Sequence, residues 1–256
     1  MSLSDVNVSS LNRVLDVGGW FKPDNRATHV VDLMPYETRW AKLNLEPLPG
    51  ERFSKETWFQ MNFLSPGFRL PFDDKYFDYV ICGNTVEDLT DPAPILAEMM
   101  RVGKQGVIEC PSRLHEQTIG VRDRQSTKCG HPHHHWIVES NSEHLILWSK
   151  EDSNLESPKT QVPLIVYENL VRCGSSPIVR HDWVGSIGFS FVKGLTCSAR
   201  AKAFTEELGI AWVAKVKDRC LRTARRARSY LRPRSDEDWW ARIMEQSRPF
   251  TKIPLS

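Results

Sequence analysis

"RVLDVGGWFKPDNRATHVVD", Arg13 to Asp32, decides how the rest of the chain is read. Val14, Leu15 and Val17 form a short apolar run that stops at Gly18-Gly19, and "HVVDL" supplies a second β-branched run containing Asp32. The pattern predicts strand, glycine turn, connector, strand. A glycine pair at the carboxyl end of a strand lets a ligand approach the backbone, because no Cβ intervenes and positive φ is tolerated. An acid at the end of the next strand can accept hydrogen bonds from both hydroxyls of a ribose. A third glycine is missing, and "WFKPDNRAT" contains Pro23 and is too short for a normal crossover helix. Gly18, Gly19 and Asp32 therefore point to an adenosine ligand without a phosphate cradle. S-adenosylmethionine, which carries adenosine but no pyrophosphate, fits that description.

Further along, "YFDYVICGN" reads as a buried strand, "DPAPILAEMMRV" as a helix with proline in its first turn, and "GVIEC" as another strand. The stretch before them, "ETRWAKLNLEPLPGERFSKETWFQMNF", is loop-like with a short helix. Strand, helix and strand recur, which predicts a parallel α/β sheet. Phe72, Phe77 and Tyr79 are expected in its core.

Read together and in order, "VLDVGG", "VVD", "LPFDDKYFDYV", "VEDLTDP" and "E-RV-K-G-IE-PS" resemble the class I S-adenosylmethionine-dependent methyltransferases, specifically a small bacterial methyltransferase-domain group. The resemblance covers residues 13 to about 112. It implies a Rossmann-like sheet closed by an antiparallel terminal hairpin, and S-adenosylmethionine as cofactor. By resemblance, Gly18 and Gly19 lie against the methionine part of the cofactor, Asp32 binds the ribose and Asn62 the adenine; Asp16 and Asn84 join this set. Three departures stand out. Trp20, Phe21 and Pro23 replace the usual glycine loop and helix, Asn62 stands where the family has Asp, and "VEDL" replaces "LEHL", so a histidine often found near the reacting methyl is absent. Asp88 receives no catalytic role, and Glu87 reads equally as an acid at the ligand-binding carboxyl edge of the sheet and as a solvated loop acid.

After the last family strand comes a polar excursion, residues 113–135, followed by "WIVES", a turn at "NSE" and "HLILWSK", which reads as a β-hairpin in the place of sheet strands six and seven. The excursion holds Arg113, His115, Glu116 and the run His131, His133, His134 and His135. On an extended strand, His131, His133 and His135 share a face that Cys129 joins, which is geometrically compatible with zinc or iron. No second cluster at metal-ligand spacing appears, and the preferred reading has no metal: His133, His135 and Glu116 are the candidate catalytic residues, contacting the acceptor or taking a proton from its hydroxyl. "PSR-x-x-E" and "HH-x-W" are similar to patterns in the same methyltransferase group, which implies a shared pocket.

With 256 residues and 40% hydrophobic content the chain can bury a full core. Three parts are expected: a core at 1–150, a substrate-side cap at 151–204 and a basic helical segment at 205–256. Six scattered cysteines without CxxC pairs, and a start lacking a basic or long apolar region, predict a cytoplasmic setting. The net charge of +2 is uneven: residues 211–234 hold nine Lys/Arg and one acid, a net of +8, which leaves −6 elsewhere. Val213, Val216, Cys220, Ala224, Ala227 and Leu231 recur at helical spacing there, so this segment is expected to form an amphipathic helix, docked on its own domain or touching an anionic inner-membrane surface. The function these readings favour is methyl transfer to a small-molecule or glycan acceptor, in surface-polysaccharide biosynthesis. A non-catalytic binding module and a nucleic-acid methyltransferase stay open as alternatives, the last disfavoured by the acidic remainder of the chain and by the absence of an "NPPY"-type motif.

Overall fold

The computed structural model describes residues 11–20, 22–39, 50–141 and 143–209. The chain divides into two compact units, 1–205 and 206–256. The basic segment 211–234 lies outside the described residues.

Six strands form the main sheet: β1 (Val14–Val17), β2 (His29–Asp32), β3 (Trp58–Gln60), β4 (Tyr79–Gly83), β5 (Gln105–Pro111) and β8 (Ile178–Val184), in the order β3-β2-β1-β4-β5-β8. The first five run parallel, with Val17 opposite Val31 on one side and Cys82 on the other, and β8 runs antiparallel to β5. All four residues of β1 are buried, as a central parallel strand covered on both faces requires. The order reverses between β1 and β4. Ligands of open α/β sheets bind at such a point, beyond the carboxyl ends of the strands.

Helix α1 (Ala93–Val102) links β4 to β5. Pro94 sits in its first turn, where a missing N–H costs nothing, and Gly103 closes it by donating to the Met99 carbonyl. Ile95, Leu96, Met99 and Val102 recur on one face and are all fully buried against Leu15, Val80, Phe77 and Ile108. Each such side chain contributes roughly 1.5–3 kcal/mol relative to exposure. The opposite sheet face packs Val14, Val30, Trp58, Tyr79, Ile81 and Val107. Phe77 and Tyr79 are core residues as expected, and Phe72 packs against the first cluster half-buried.

The predicted hairpin is present but not where it was expected. β6 (Trp136–Ser140) and β7 (His144–Ser149) pair antiparallel, yet they belong to a second sheet, β6-β7-β9, completed by β9 (Gly188–Val192) running parallel to β7. The strand that closes the main sheet is β8, from the stretch expected to be a substrate-side cap. Its alternation explains this: His181 and Trp183 point inward, and the Trp183 ring joins the α1 side of the core. The main sheet is therefore not complete at residue 150. Short helices α2 (Arg113–Glu116) and α3 (Leu164–Arg172) lie in the connections, and residues 195–209 are helical.

Candidate functional site

Gly18, Gly19, Asp32, Asn62 and Asn84 all fall within two residues of the carboxyl ends of β1, β2, β3 and β4, on one edge of the sheet. Gly18 has φ +77°, and a Cβ there would meet Thr85 Oγ1 at 2.0 Å while one at Gly19 would meet Asp16 Oδ2 at 2.9 Å, so the space beside both glycines is taken by protein side chains. Thr85, which the sequence reading missed, donates to the Val17 carbonyl and locks the β1 turn to the segment after β4. Asp16 is buried and accepts from Asp24 N at 2.6 Å, pinning the loop that stands where a crossover helix would be. Burial pushes its carboxyl up to about 7. Asp32 accepts from Trp20 N at 2.9 Å and Met34 N at 2.7 Å; burial raises its pKa despite both bonds.

This edge fits adenosine. Each Asp32 oxygen is engaged by one N–H, which leaves acceptor capacity for ribose hydroxyls. Asn62 is exposed, its Oδ1 accepting from Leu64 N while the amide NH2 is available to a base. Beyond β4, a Cβ at Gly83 would meet nothing, and Asn84 is exposed with φ 51°.

The polar excursion docks onto the segment that follows β4. His135 N donates to the Glu87 carbonyl at 2.7 Å, and Trp136 Nε1 donates to the Leu89 carbonyl at 2.8 Å. The histidine run is a turn and not the extended strand expected, since His134 N donates to the His131 carbonyl. The turn changes the grouping: His131, His133 and His134 offer ring nitrogens within 4.8 Å of one another. Cys129 is buried and directs its thiol to the Leu155 carbonyl. Glu116 is 1% exposed, accepts from His134 Nδ1 at 3.0 Å and forms an ion pair with Lys150. Against the cost of burial, His134 and the Lys150 charge hold its carboxyl below the ordinary range. Burial pushes His131 down to about 4 and lowers His133 despite the nearby Asp88 carboxylate. Arg113 is buried on the other side of α2 and pairs with Glu139.

Glu87 is another buried acid, 1% exposed at the sheet's carboxyl edge. Apart from its own backbone N–H and the Cys110 thiol beside it, neither carboxylate oxygen has a hydrogen-bond partner among the described residues, and burial pushes it up to about 7.

A cavity of about 900 Å³ opens beside the excursion, lined among others by Thr90, His134, His135, Lys150, Asp152 and Lys193. His135 thus reaches a cavity, His133 lies near Asp88, and Glu116 sits beneath His134 outside the cavity lining. Lys150 was missed because nothing local marks it; its partner is 34 residues away.

Residues 20–108 match the family model described as a methyltransferase domain. This segment is similar to a methyltransferase domain, and the parallel strands that it covers follow a doubly wound order. The matched stretch begins at Trp20, just past the Gly18-Gly19 pair, and ends at Ile108 within β5. Among solved structures, the chain is similar to a SAM-dependent methyltransferase from Aquifex aeolicus (20% identity, 40% of this chain and 57% of that one, TM-score 0.29). It is also similar to an S-adenosylmethionine-dependent methyltransferase from Mesorhizobium loti (15% identity, 44% and 52%, TM-score 0.31). The chain spans a little over half the length of these two. No curated protein sequence matches. No helix among the described residues is long and apolar enough to cross a membrane.

Proposed function

We propose that the chain transfers a methyl group from S-adenosylmethionine to a hydroxyl-bearing small molecule or glycan, as a step in surface-polysaccharide biosynthesis. The observation that supports the acceptor class is the polar cavity beside the excursion, where Lys150, Asp152, His135 and Lys193 offer hydrogen-bonding groups suited to a sugar. The cofactor supplies an electrophilic methyl on a sulfonium. On the protein side, Asp32, Asn62 and the Gly18-Gly19 turn, with Asn84 at the next strand end and Asp16 fixing the loop, would hold the adenosine and orient it. Orientation alone can supply most of the acceleration of such a displacement. His135, exposed at the cavity, and His133 contact the acceptor and take the hydroxyl proton; Glu116 positions the turn through His134. The basic segment 211–234 brings the enzyme to an anionic membrane surface carrying lipid-linked glycans.

Calorimetric titration with S-adenosylmethionine, followed by a labelled-methyl screen of sugars, nucleotide sugars, lipid-linked glycans and nucleic acids, tests this. A saccharide acceptor is expected, with His135→Ala lowering turnover about 100-fold or more while cofactor affinity stays unchanged. Labelling confined to RNA or DNA, or no cofactor binding, overturns it.

A further inference from the structure

Asp88 ends the short 3-10 turn Val86–Asp88 past β4, and its side chain faces the histidine turn. Asp88 Oδ1 lies 3.4 Å from His134 Nε2 and 3.6 Å from His133 Nε2. These separations exceed a good hydrogen bond. The 3.4 Å separation matches the edge of a coordination tetrahedron, about 3.3–3.4 Å for metal–ligand bonds of about 2.0–2.1 Å, and the 3.6 Å one lies slightly beyond it.

The proton inventory points the same way. Glu116, paired with Lys150, takes the hydrogen bond of His134 Nδ1 at 3.0 Å, which leaves Nε2 as the atom that would ligate a metal. Nε2 faces the Asp88 carboxylate oxygen across 3.4 Å, a gap that a metal ion would bridge. A carboxylate behind a ligating imidazole is also the arrangement that fixes the tautomer and raises basicity at metal centres.

We propose that His133 Nε2, His134 Nε2 and the Asp88 carboxylate form a site for a divalent cation of the zinc class, with His131 as the neighbouring fourth donor. Two or three imidazoles and one carboxylate suit zinc or iron(II) and disfavour magnesium or calcium, which prefer all-oxygen shells. The scaffold is held before any ion arrives: Lys150 donates to the His131 carbonyl at 2.6 Å, and His135 N ties the turn to Glu87. His131 stacks on His134 with ring centroids 4.4 Å apart, and ligation requires its ring to turn out of that stack. The His133 and Asp88 side chains are 57% and 40% exposed, which gives the ion a way in and leaves a coordination position reachable by solvent or substrate.

With the ion bound, His133 is a ligand and proton abstraction from the acceptor falls to His135; the test reads metal binding alone and does not depend on methyl transfer. The full chain, prepared without a histidine tag and stripped with chelator, is titrated with Zn²⁺ by calorimetry and with Co²⁺ by visible absorption. One equivalent of zinc is expected, with tetrahedral cobalt bands. His133→Ala and Asp88→Asn, both at exposed side chains, should each weaken zinc by at least about tenfold, and Glu116→Gln by about 10- to 100-fold. His144→Ala, on β7, should leave affinity unchanged. No stoichiometric binding of either ion, or equal affinity in wild type, His133→Ala and Asp88→Asn, overturns the proposal and makes His134 a protonated bridge between Glu116 and Asp88.

Discussion

Asp32 and Glu116 are both buried carboxylates, and they are held in opposite ways. Asp32 rests on backbone N–H groups from Trp20 and Met34, no more than 12 residues away, and burial still raises its pKa. Asp16 repeats the pattern with Asp24 N, 8 residues away. Glu116 is held by the side chains of His134 and Lys150, 18 and 34 residues away, and its pKa is lowered despite burial. The edge at the glycine turn is thus a local construction of dipoles, and burial raises the pKa of its acids. The excursion is a long-range construction of full charges that keeps its acid ionised.

If that contrast is right, the largest single effect falls on the excursion. Glu116→Ala leaves Lys150 and His134 without their shared partner, and breaking a buried pair this way costs about 3–5 kcal/mol. Urea denaturation reads it directly, and a loss below about 1 kcal/mol would mean the network is solvated like a surface pair.

The edge at the glycine turn should respond to pH instead. Burial raises the Asp16 carboxyl from its ordinary value to about 7, so the folded chain keeps a proton that the unfolded chain has already released. Stability should therefore fall as pH rises from about 4 to about 7, by at most about 4 kcal/mol from this group. Asp16→Asn keeps an acceptor for Asp24 N and should flatten the curve in part; Glu87 acts with the same sign and leaves a residual slope. An unchanged slope in Asp16→Asn would end the contrast on this side.

Smaller still is the expected change at Asp32. Asp32→Ala should weaken S-adenosylmethionine binding at least about tenfold, from the loss of charged hydrogen bonds to the ribose. Calorimetry on the folded variant, checked by circular dichroism because Trp20 N and Met34 N lose their acceptor, would sharpen the comparison. Unaltered affinity would remove Asp32 from the binding set.

The same division explains what could be read in advance. The β1 turn, β2 and its terminal acid, β4, α1 and β5 were legible because each is set by residues close in the chain: an apolar run, a glycine pair, a proline in a first turn. The hairpin was legible as a pair but not as a member of a sheet, since either edge satisfies the alternation of "HLILWSK". Nothing in "VRHDWV" announces that it pairs with β5 some 70 residues earlier; only Trp183 seated in the core decides it. The histidines were visible as a run, but an extended strand and a turn group them differently, and Asp88 joins them only through the fold.

The pairing of β8 with β5 bears on where this chain can be cut. All seven residues of β5 find partners on β8, from Gln105 opposite Val184 to Pro111 opposite Ile178. A fragment ending near residue 150 would contain the whole stretch matched by the methyltransferase family, yet it would leave a buried apolar strand with a naked row of N–H and C=O groups. Bare edges of that kind recruit other chains. An expression fragment drawn to the family boundary would aggregate, while one carried past Val192 would keep both sheets closed.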